Sequence, residues 1–261
     1  MSSITTSALV LRHVKQGDTS HVVTLLTREG GKIAVMAKGN RKPGSRFGAG
    51  LELFNLSQVI YRERANRDLQ FLEACELERN YERLRHDVFG YAAAGSCAEL
   101  TDRMVPDGAA SREIFDLLAG ALEILEQVVP LPDGEELRAV AFPVAFQLKL
   151  MDEMGVAPEI AECASCGTSD IGSSAALSAR RGGILCRRCR AAEGGRSLGA
   201  ETVDFLRSAL YGELSQAFTA ERPPSRTVVL EARGALDAVL EFHHGKPALL
   251  RSRKFLDELW K

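Results

Sequence analysis

The sequence has no long apolar run and no motif of a common catalytic class. No stretch approaches the roughly 20 apolar residues of a transmembrane helix, and the first residues lack the basic start and apolar core of a signal peptide. We therefore expect a cytoplasmic protein with no membrane contact. The GxxxxGK[ST] loop of ATPases is missing, and no motif suggests a Ser/His/Asp arrangement. These absences predict that the protein is not an enzyme.

The sequence has little net charge, only −2, but its basic and acidic residues are unevenly distributed along the chain. Residues 1–80 contain 12 basic and 8 acidic residues, whereas residues 81–160 contain 6 and 15. A basic first part on a near-neutral protein favours a local contact with a polyanion. The alternative is that these charges only keep the surface soluble.

Residues 4–77 have the pattern of short β-strands. Apolar and β-branched runs occur at 8–14, 21–27, 33–37, 51–62 and 69–77. Gly30 and Gly31 predict a hairpin turn between the second and third runs, and residues 64–67 predict a turn between the last two. Five strands of this size predict a small barrel such as an OB-fold, with an SH3-like barrel as the alternative.

The periodicity becomes helical after about residue 78. Helices are predicted over 81–104, 112–129 and 135–154, and again over about 200–213, 226–243 and 249–260. Ser111 suits the N-cap of the second helix, and Pro143 suits a kink or a helix start in the third. Residues 160–197 are rich in Gly, Ser, Cys and Arg, so we expect an insertion with little apolar core.

Four of the six cysteines form two pairs, Cys163–Cys166 and Cys186–Cys189. Two thiolates three positions apart can bind one metal ion, and two such pairs complete a tetrahedral sulfur shell. This donor set predicts one structural Zn²⁺, with an iron–sulfur cluster as a weaker alternative. Cys75 and Cys97 stand alone among apolar residues and are predicted to be buried.

Basic residues cluster in two places. The glycine-containing segment 32–46 has no acidic residue, and its cations can follow a phosphate backbone; they are Lys32, Lys38, Arg41, Lys42 and Arg46. Phe47 and Tyr61 are predicted to stack on bases of a bound strand. The alternative for Phe47 is a core position at the start of the next strand. Near the cysteines, Arg187 and Arg188 either offset the charge of the metal site or contact DNA, and the sequence does not decide between these roles.

Together these segments resemble the RecO family of recombination mediators over nearly the whole chain. The resemblance rests on 22–31, with its Thr-Arg-Glu-Gly-Gly end, on Ala37-Lys-Gly-Asn-Arg-Lys-Pro43, on Phe146-Gln-Leu-Lys-Leu150, on Cys163-Ala-Ser-Cys-Gly167 and on Arg251-Ser-Arg-Lys-Phe-Leu256. One departure is Ser20-His21, where many members have an acidic residue followed by a basic one. The resemblance implies an α+β multi-domain protein: an OB-fold domain over 1–79, and a helical domain over 80–261 that carries a zinc finger at about 160–197.

The resemblance also implies a function in the RecF pathway of DNA repair and homologous recombination. A protein of this family is expected to bind single- and double-stranded DNA, to anneal complementary strands, and to act with RecR, the single-strand-binding protein SSB and in some cases RecF in loading RecA at the nucleoid. The acidic tail of SSB should avoid the acidic 81–136 surface. We therefore expect it at Lys149, Arg251 and Arg253, although Lys149 also suits a snorkelling side chain. The alternatives are a zinc-ribbon factor of RNA binding or transcription, and an adaptor that binds only proteins.

Overall fold

A computed structural model describes residues 2–42, 44–64, 67–245 and 250–260. The chain divides into two compact units, Met1–Pro130 and Leu131–Lys261. Across the described ranges, no helix combines the length with the apolar composition that crossing a membrane requires.

Five strands of the first unit close into a barrel: β1 (Ser3–Gln16), β2 (Ser20–Thr27), β3 (Gly31–Ala37), β4 (Leu56–Arg62) and β5 (Leu69–Arg79). Their order around the barrel is β1-β2-β3-β5-β4, and β4 pairs back onto β1. The β3–β5 pairing is parallel, and the others are antiparallel. The predicted five-stranded OB-fold is confirmed. The turn predicted at 64–67 includes residues 65 and 66, which lie outside the described residues.

Alternate residues of the strands fill the barrel, because successive strand side chains point to opposite faces. Val10, Val23 and Val35 belong to one buried cluster with residues that follow β3. Phe47 and Tyr61 are members of this cluster and are 2% and 3% exposed. The core interpretation of Phe47 is therefore confirmed, and the prediction that Tyr61 stacks on a base is wrong.

Three helices follow the barrel within the first unit: α1 (Glu82–His86), α2 (Val88–Met104) and α3 (Arg112–Val128). The single helix predicted over 81–104 is interrupted at Asp87, which has extended backbone and accepts a hydrogen bond from the Gly90 N–H at 2.6 Å as the N-cap of α2. Ser111 caps α3 as predicted. Because α2 packs against both β1 and α3, it connects the barrel to the helices.

The second unit is organised around α4 (Glu136–Glu153), which is buried on most sides as predicted. Pro143 lies in the interior of α4 and not at its start. A proline has no N–H, so the carbonyl of Ala139 lacks its intrahelical donor.

The cysteine-rich insertion contains a small antiparallel sheet with a short helix: β6 (Ser174–Ser178), β7 (Gly183–Leu185), α5 (Arg187–Glu193) and β8 (Arg196–Gly199). The expectation that this segment has little apolar core is wrong. Short apolar stretches alternate here with glycines, and their side chains are buried; they include Ile171, Ala175, Leu177, Ile184, Leu185 and Leu198.

Helices α6 (Ala200–Tyr211), α7 (Gln216–Thr219), α8 (Arg226–His244) and α9 (Arg251–Leu259) complete the unit. Arg253 of α9 is 6% exposed. Its Nη1 donates to Asp237 Oδ1 of α8 at 2.7 Å, and its Nη2 donates to the Gln147 side-chain oxygen of α4. A second ion pair, Arg233–Asp257, also joins α8 to α9. These contacts hold the last helix against the centre of the unit.

We predict that Arg253→Met destabilises the second unit, because it leaves the partly buried Asp237 carboxylate without its cation. Removing one partner of such a pair costs about 3 kcal/mol. Lys254→Met, at the exposed neighbouring position, is the control and should change stability by less than about 0.5 kcal/mol. Urea unfolding of both variants measures the difference. Equal unfolding midpoints would show that the buried arginine does not hold α9 in place.

Candidate metal centre and nucleic-acid interface

The two cysteine pairs lie on two turns of the insertion. In the first turn, the Gly167 N–H donates to the Cys163 carbonyl at 2.8 Å, and Gly167 has a φ of 72°. This left-handed conformation suits glycine, because it has no Cβ. In the second turn, Cys186 follows β7 and Cys189 lies in the first turn of α5. The Ala164 N–H bonds to the Ile184 carbonyl at 2.8 Å and so joins the two turns.

The four sulfur atoms all lie within 4.8 Å of one another. Sulfur atoms about 2.3 Å from a tetrahedral ion lie about 3.8 Å apart, and the Cys166 and Cys186 sulfurs are 3.8 Å apart. None of the four forms a disulfide. The residues present therefore fit a metal ion with four thiolate ligands. Outside this cluster, Cys97 is buried as predicted, whereas Cys75 is only partly buried and packs against the barrel core.

Backbone N–H groups favour the thiolate form of two of the four cysteines, Cys163 and Cys166. Burial opposes ionisation of Cys163, but N–H donors from Cys186, Cys166 and Ser165 lower its pKa to about 6. The Thr168 N–H is the main cause that lowers the pKa of Cys166. Since a metal binds the thiolate and not the thiol, these donors favour the ligating form.

The arginines near the cluster have different partners. The guanidinium of Arg188 lies beside the sulfurs of Cys166 and Cys189, which raise its pKa. Arg181 forms an ion pair with Glu193, and Arg190 donates to the Ser174 hydroxyl at 2.9 Å. Arg187 is exposed. Arg188 is exposed as well, but its position beside the two sulfurs favours it as the group that offsets thiolate charge.

The basic loop, residues 38–46, leaves the barrel directly after β3. Four of its predicted cations are exposed; they are Lys38, Arg41, Lys42 and Arg46. The loop is folded into successive turns, such as the Lys42 N–H bond to the Gly39 carbonyl at 3.1 Å. Arg46 lies over the Phe47 ring, 4.8 Å from its centroid. The four cations of the described part of the loop are therefore exposed next to the end of β3.

Lys32, predicted with this group, lies elsewhere. Its side chain is 10% exposed, and its ammonium group is 3.2 Å from Asp107 and 3.7 Å from Asp102. Arg12 also pairs with Asp102, at 3.0 Å. The two cations and Asp102 connect β1 and β3 to α2. A DNA phosphate would have to displace these carboxylates, so the burial and pairing of Lys32 argue against a DNA contact.

One feature of the loop was not predicted from sequence. Phe71 of β5 lies between two cations, with Lys38 at 5.2 Å and Arg64 at 4.5 Å from the ring centroid. Such contacts hold a cation over an aromatic face. The parallel β3–β5 pairing brings Phe71 next to the loop, and nothing in the local sequence indicates that pairing.

The three cations predicted to bind an SSB tail do not form one surface cluster. Arg253 is buried in the contacts described above. Lys149 donates to the Leu210 carbonyl at 2.7 Å, which agrees with the snorkelling alternative. Arg251 is exposed at the start of α9. Two of the three therefore hold helices of the second unit together.

Comparison with known proteins gives consistent matches over the chain. A family model described as Recombination protein O N terminal matches residues 1–81, and one described as Recombination protein O C terminal matches residues 85–253. A DNA repair protein RecO of Anaeromyxobacter dehalogenans is 36% identical over 99% of this chain and 98% of its own. A DNA repair protein RecO of Exiguobacterium sibiricum is 34% identical over 96% of this chain and 95% of its own. A DNA repair protein RecO of Desulfatibacillum aliphaticivorans is 31% identical over 99% of this chain and 98% of its own. The chain belongs to the RecO family of DNA repair proteins.

Proposed function

We propose that this protein is a non-enzymatic mediator of the RecF pathway, which binds single- and double-stranded DNA and anneals complementary strands. It would act in the cytoplasm, at the nucleoid, with RecR and SSB, and in some settings RecF, to load RecA. Family membership supports the role in DNA repair. The observation that supports DNA binding most directly is the exposure of four cations on the basic loop that follows β3 of an OB-fold.

The basic loop suits a phosphate backbone better than it suits a particular base sequence. Its four cations are exposed, while Phe47 and Tyr61 are buried. Lys and Arg contacts to phosphates release counterions and do not read sequence. We therefore propose DNA binding by residues 1–79 through Lys38, Arg41, Lys42 and Arg46, with Arg187 of the 80–261 domain as a further contact.

We further propose that the cysteine cluster holds one structural Zn²⁺. Four thiolates fill a tetrahedral shell and leave no position for a substrate or water. Bound there, zinc would cross-link the two cysteine turns and so stabilise the insertion between α4 and α6. The sheet of the insertion has buried residues of its own, so loss of the metal should loosen this region without unfolding the whole unit.

Binding of the acidic SSB tail remains part of the proposal, but two of the three cations first expected to attract it lie in contacts within the second unit. Lys149 and Arg253 already have partners within the second unit. Of the predicted set, Arg251 is the exposed cation that an acidic tail can approach.

The purified protein should contain about one zinc per chain. Cys166→Ser should abolish zinc retention and raise hydrogen exchange over residues 160–199, because a three-thiolate shell binds the ion more weakly. Cys75→Ser, which changes a cysteine outside the cluster, should retain the zinc. Elemental analysis with hydrogen-exchange mass spectrometry measures both effects. A protein without metal, or one with iron and visible absorbance, would refute the zinc assignment.

Lys38→Gln combined with Lys42→Gln should weaken binding to single-stranded DNA to a similar extent for every sequence. Each lost phosphate contact should also reduce the slope of log K against log salt by about 0.7. Fluorescence anisotropy at several salt concentrations, with a strand-annealing assay, measures both.

The matched control is Arg112→Gln with Lys254→Gln, which removes two exposed cations from helices and changes the net charge equally. The control should bind and anneal DNA like the wild type. If both double variants lose affinity equally, net charge and not the basic loop governs binding.

A further inference from the structure

The β1–β2 hairpin extends past the barrel. β1 pairs with β4 only over Ser3–Leu9, whereas from Arg12 to Gln16 it pairs with β2 alone. His13 lies opposite Val23, and Lys15 lies opposite His21. Directly paired residues share a face of the sheet, and Val23 is a core residue. The inner face of the barrel therefore continues beyond the core as a polar surface of His13, Lys15 and His21.

This polar surface is in contact with the basic loop. The ring centroids of His13 and His21 are 4.9 Å apart, with an angle of 34° between the planes. The Arg41 guanidinium donates to the Asp18 carbonyl at 2.9 Å, and the Arg41 N–H donates to the Thr19 carbonyl at 3.1 Å. The loop is thus attached to the end of the hairpin, and its cations continue onto the two imidazoles.

Asp18 of the hairpin turn is the acidic residue nearest to His21 in the sequence. The charged and titratable groups that lower the pKa of His21 are all cations or potential cations. They are His13 and Lys15 from β1 and Arg41 from the basic loop, while β3 contributes the apolar Ala37 opposite His21. Partial burial is the largest cause that lowers the pKa of His21, and these three groups lower it further. A surface with this composition has a shortage of negative charge, which a bound anion would supply.

We propose that His13, Lys15 and His21 bind a phosphate of the DNA backbone at the end of the hairpin, with both imidazoles in reach of the phosphate and a proton taken up on binding. This inference rests on the proposed DNA-binding function and extends the path of the DNA from the basic loop onto β1 and β2. An anion beside an imidazole favours its charged form. DNA binding at this site is therefore stronger at lower pH.

Asn40 can accommodate the added proton on His21 by accepting a hydrogen bond from it. Its side-chain nitrogen lies 2.8 Å from Nδ1 of His21, so that Nδ1 acts as the acceptor in the neutral ring. Its side-chain oxygen is buried and has no hydrogen-bond partner within the described part of the chain. Rotation of the amide by half a turn exchanges the two atoms. The oxygen then accepts from a protonated Nδ1, while Nε2–H of His21 is left to donate to the phosphate.

The test compares binding of a short oligothymidylate at about pH 8 and about pH 6 and at constant ionic strength. If binding takes up one proton, affinity should increase several-fold over this range, because the phosphate favours the charged form of the imidazole. His13→Gln with His21→Gln should reduce the increase to less than about twofold, because glutamine keeps the polarity but does not titrate. The matched control is His86→Gln, at an exposed histidine of α1, which should keep the full increase.

A second measurement does not depend on the variants. Nuclear magnetic resonance titration should show the pKa of His21 rising when the oligothymidylate is added, together with a change in the ring signals of His13 and none in those of His86. If the affinity of the wild type and of the double variant depends equally on pH, or if the His21 pKa does not change when the oligonucleotide is added, this inference is overturned while DNA binding is left intact. Absence of binding by the wild type at both pH values would instead refute the proposed function.

Discussion

The parallel pairing between β3 and β5 is the constraint on which the arrangement of the first unit depends. It closes the barrel and involves only Ala34–Met36 with Leu69–Phe71. Because the pairing is so short, the chain leaves the sheet directly after Ala37, and the next residues form the basic loop. The same pairing sets Phe71 beside Lys38. Closure removes sheet edges, and at the same time it determines where the cations emerge.

The roles of the basic residues follow from whether a carboxylate or a carbonyl already lies beside them. Lys32 and Arg253 have little exposed surface and have carboxylate partners, so an external anion would have to leave those carboxylates uncompensated. Lys38, Arg41, Lys42 and Arg46 are exposed; the side chains of Lys38 and Arg46 make cation–π contacts, and that of Arg41 donates to backbone carbonyls. Those weaker contacts orient a cation without neutralising it, which leaves its charge available to a polyanion.

Much of this fold could be predicted from the sequence because strand and helix periodicities are local. The five barrel strands, the Ser111 cap and the central helix α4 all follow from patterns within a few residues, and the metal-binding geometry of the cysteines follows from their spacing. The small sheet at 174–199 was missed because its strands have only three to five residues each and glycines between them. The burial of Lys32 and Arg253 was missed because the residue type of a cation does not reveal its distant partner. The His13–His21 contact depends on the register of two strands, which the sequence does not specify.

The buried arginine of α9 has a consequence for the order in which the molecule can be assembled during translation. Every residue of the barrel and of helices α1–α3 lies within the first 130 positions, so the first unit can complete its packing while the remainder is being synthesised. Asp237 and Gln147 acquire their cation only after position 253 has emerged from the ribosome. Until then, the centre of the second unit has an uncompensated carboxylate, so a nascent chain presents a finished barrel with its basic loop well before the helical unit is stable.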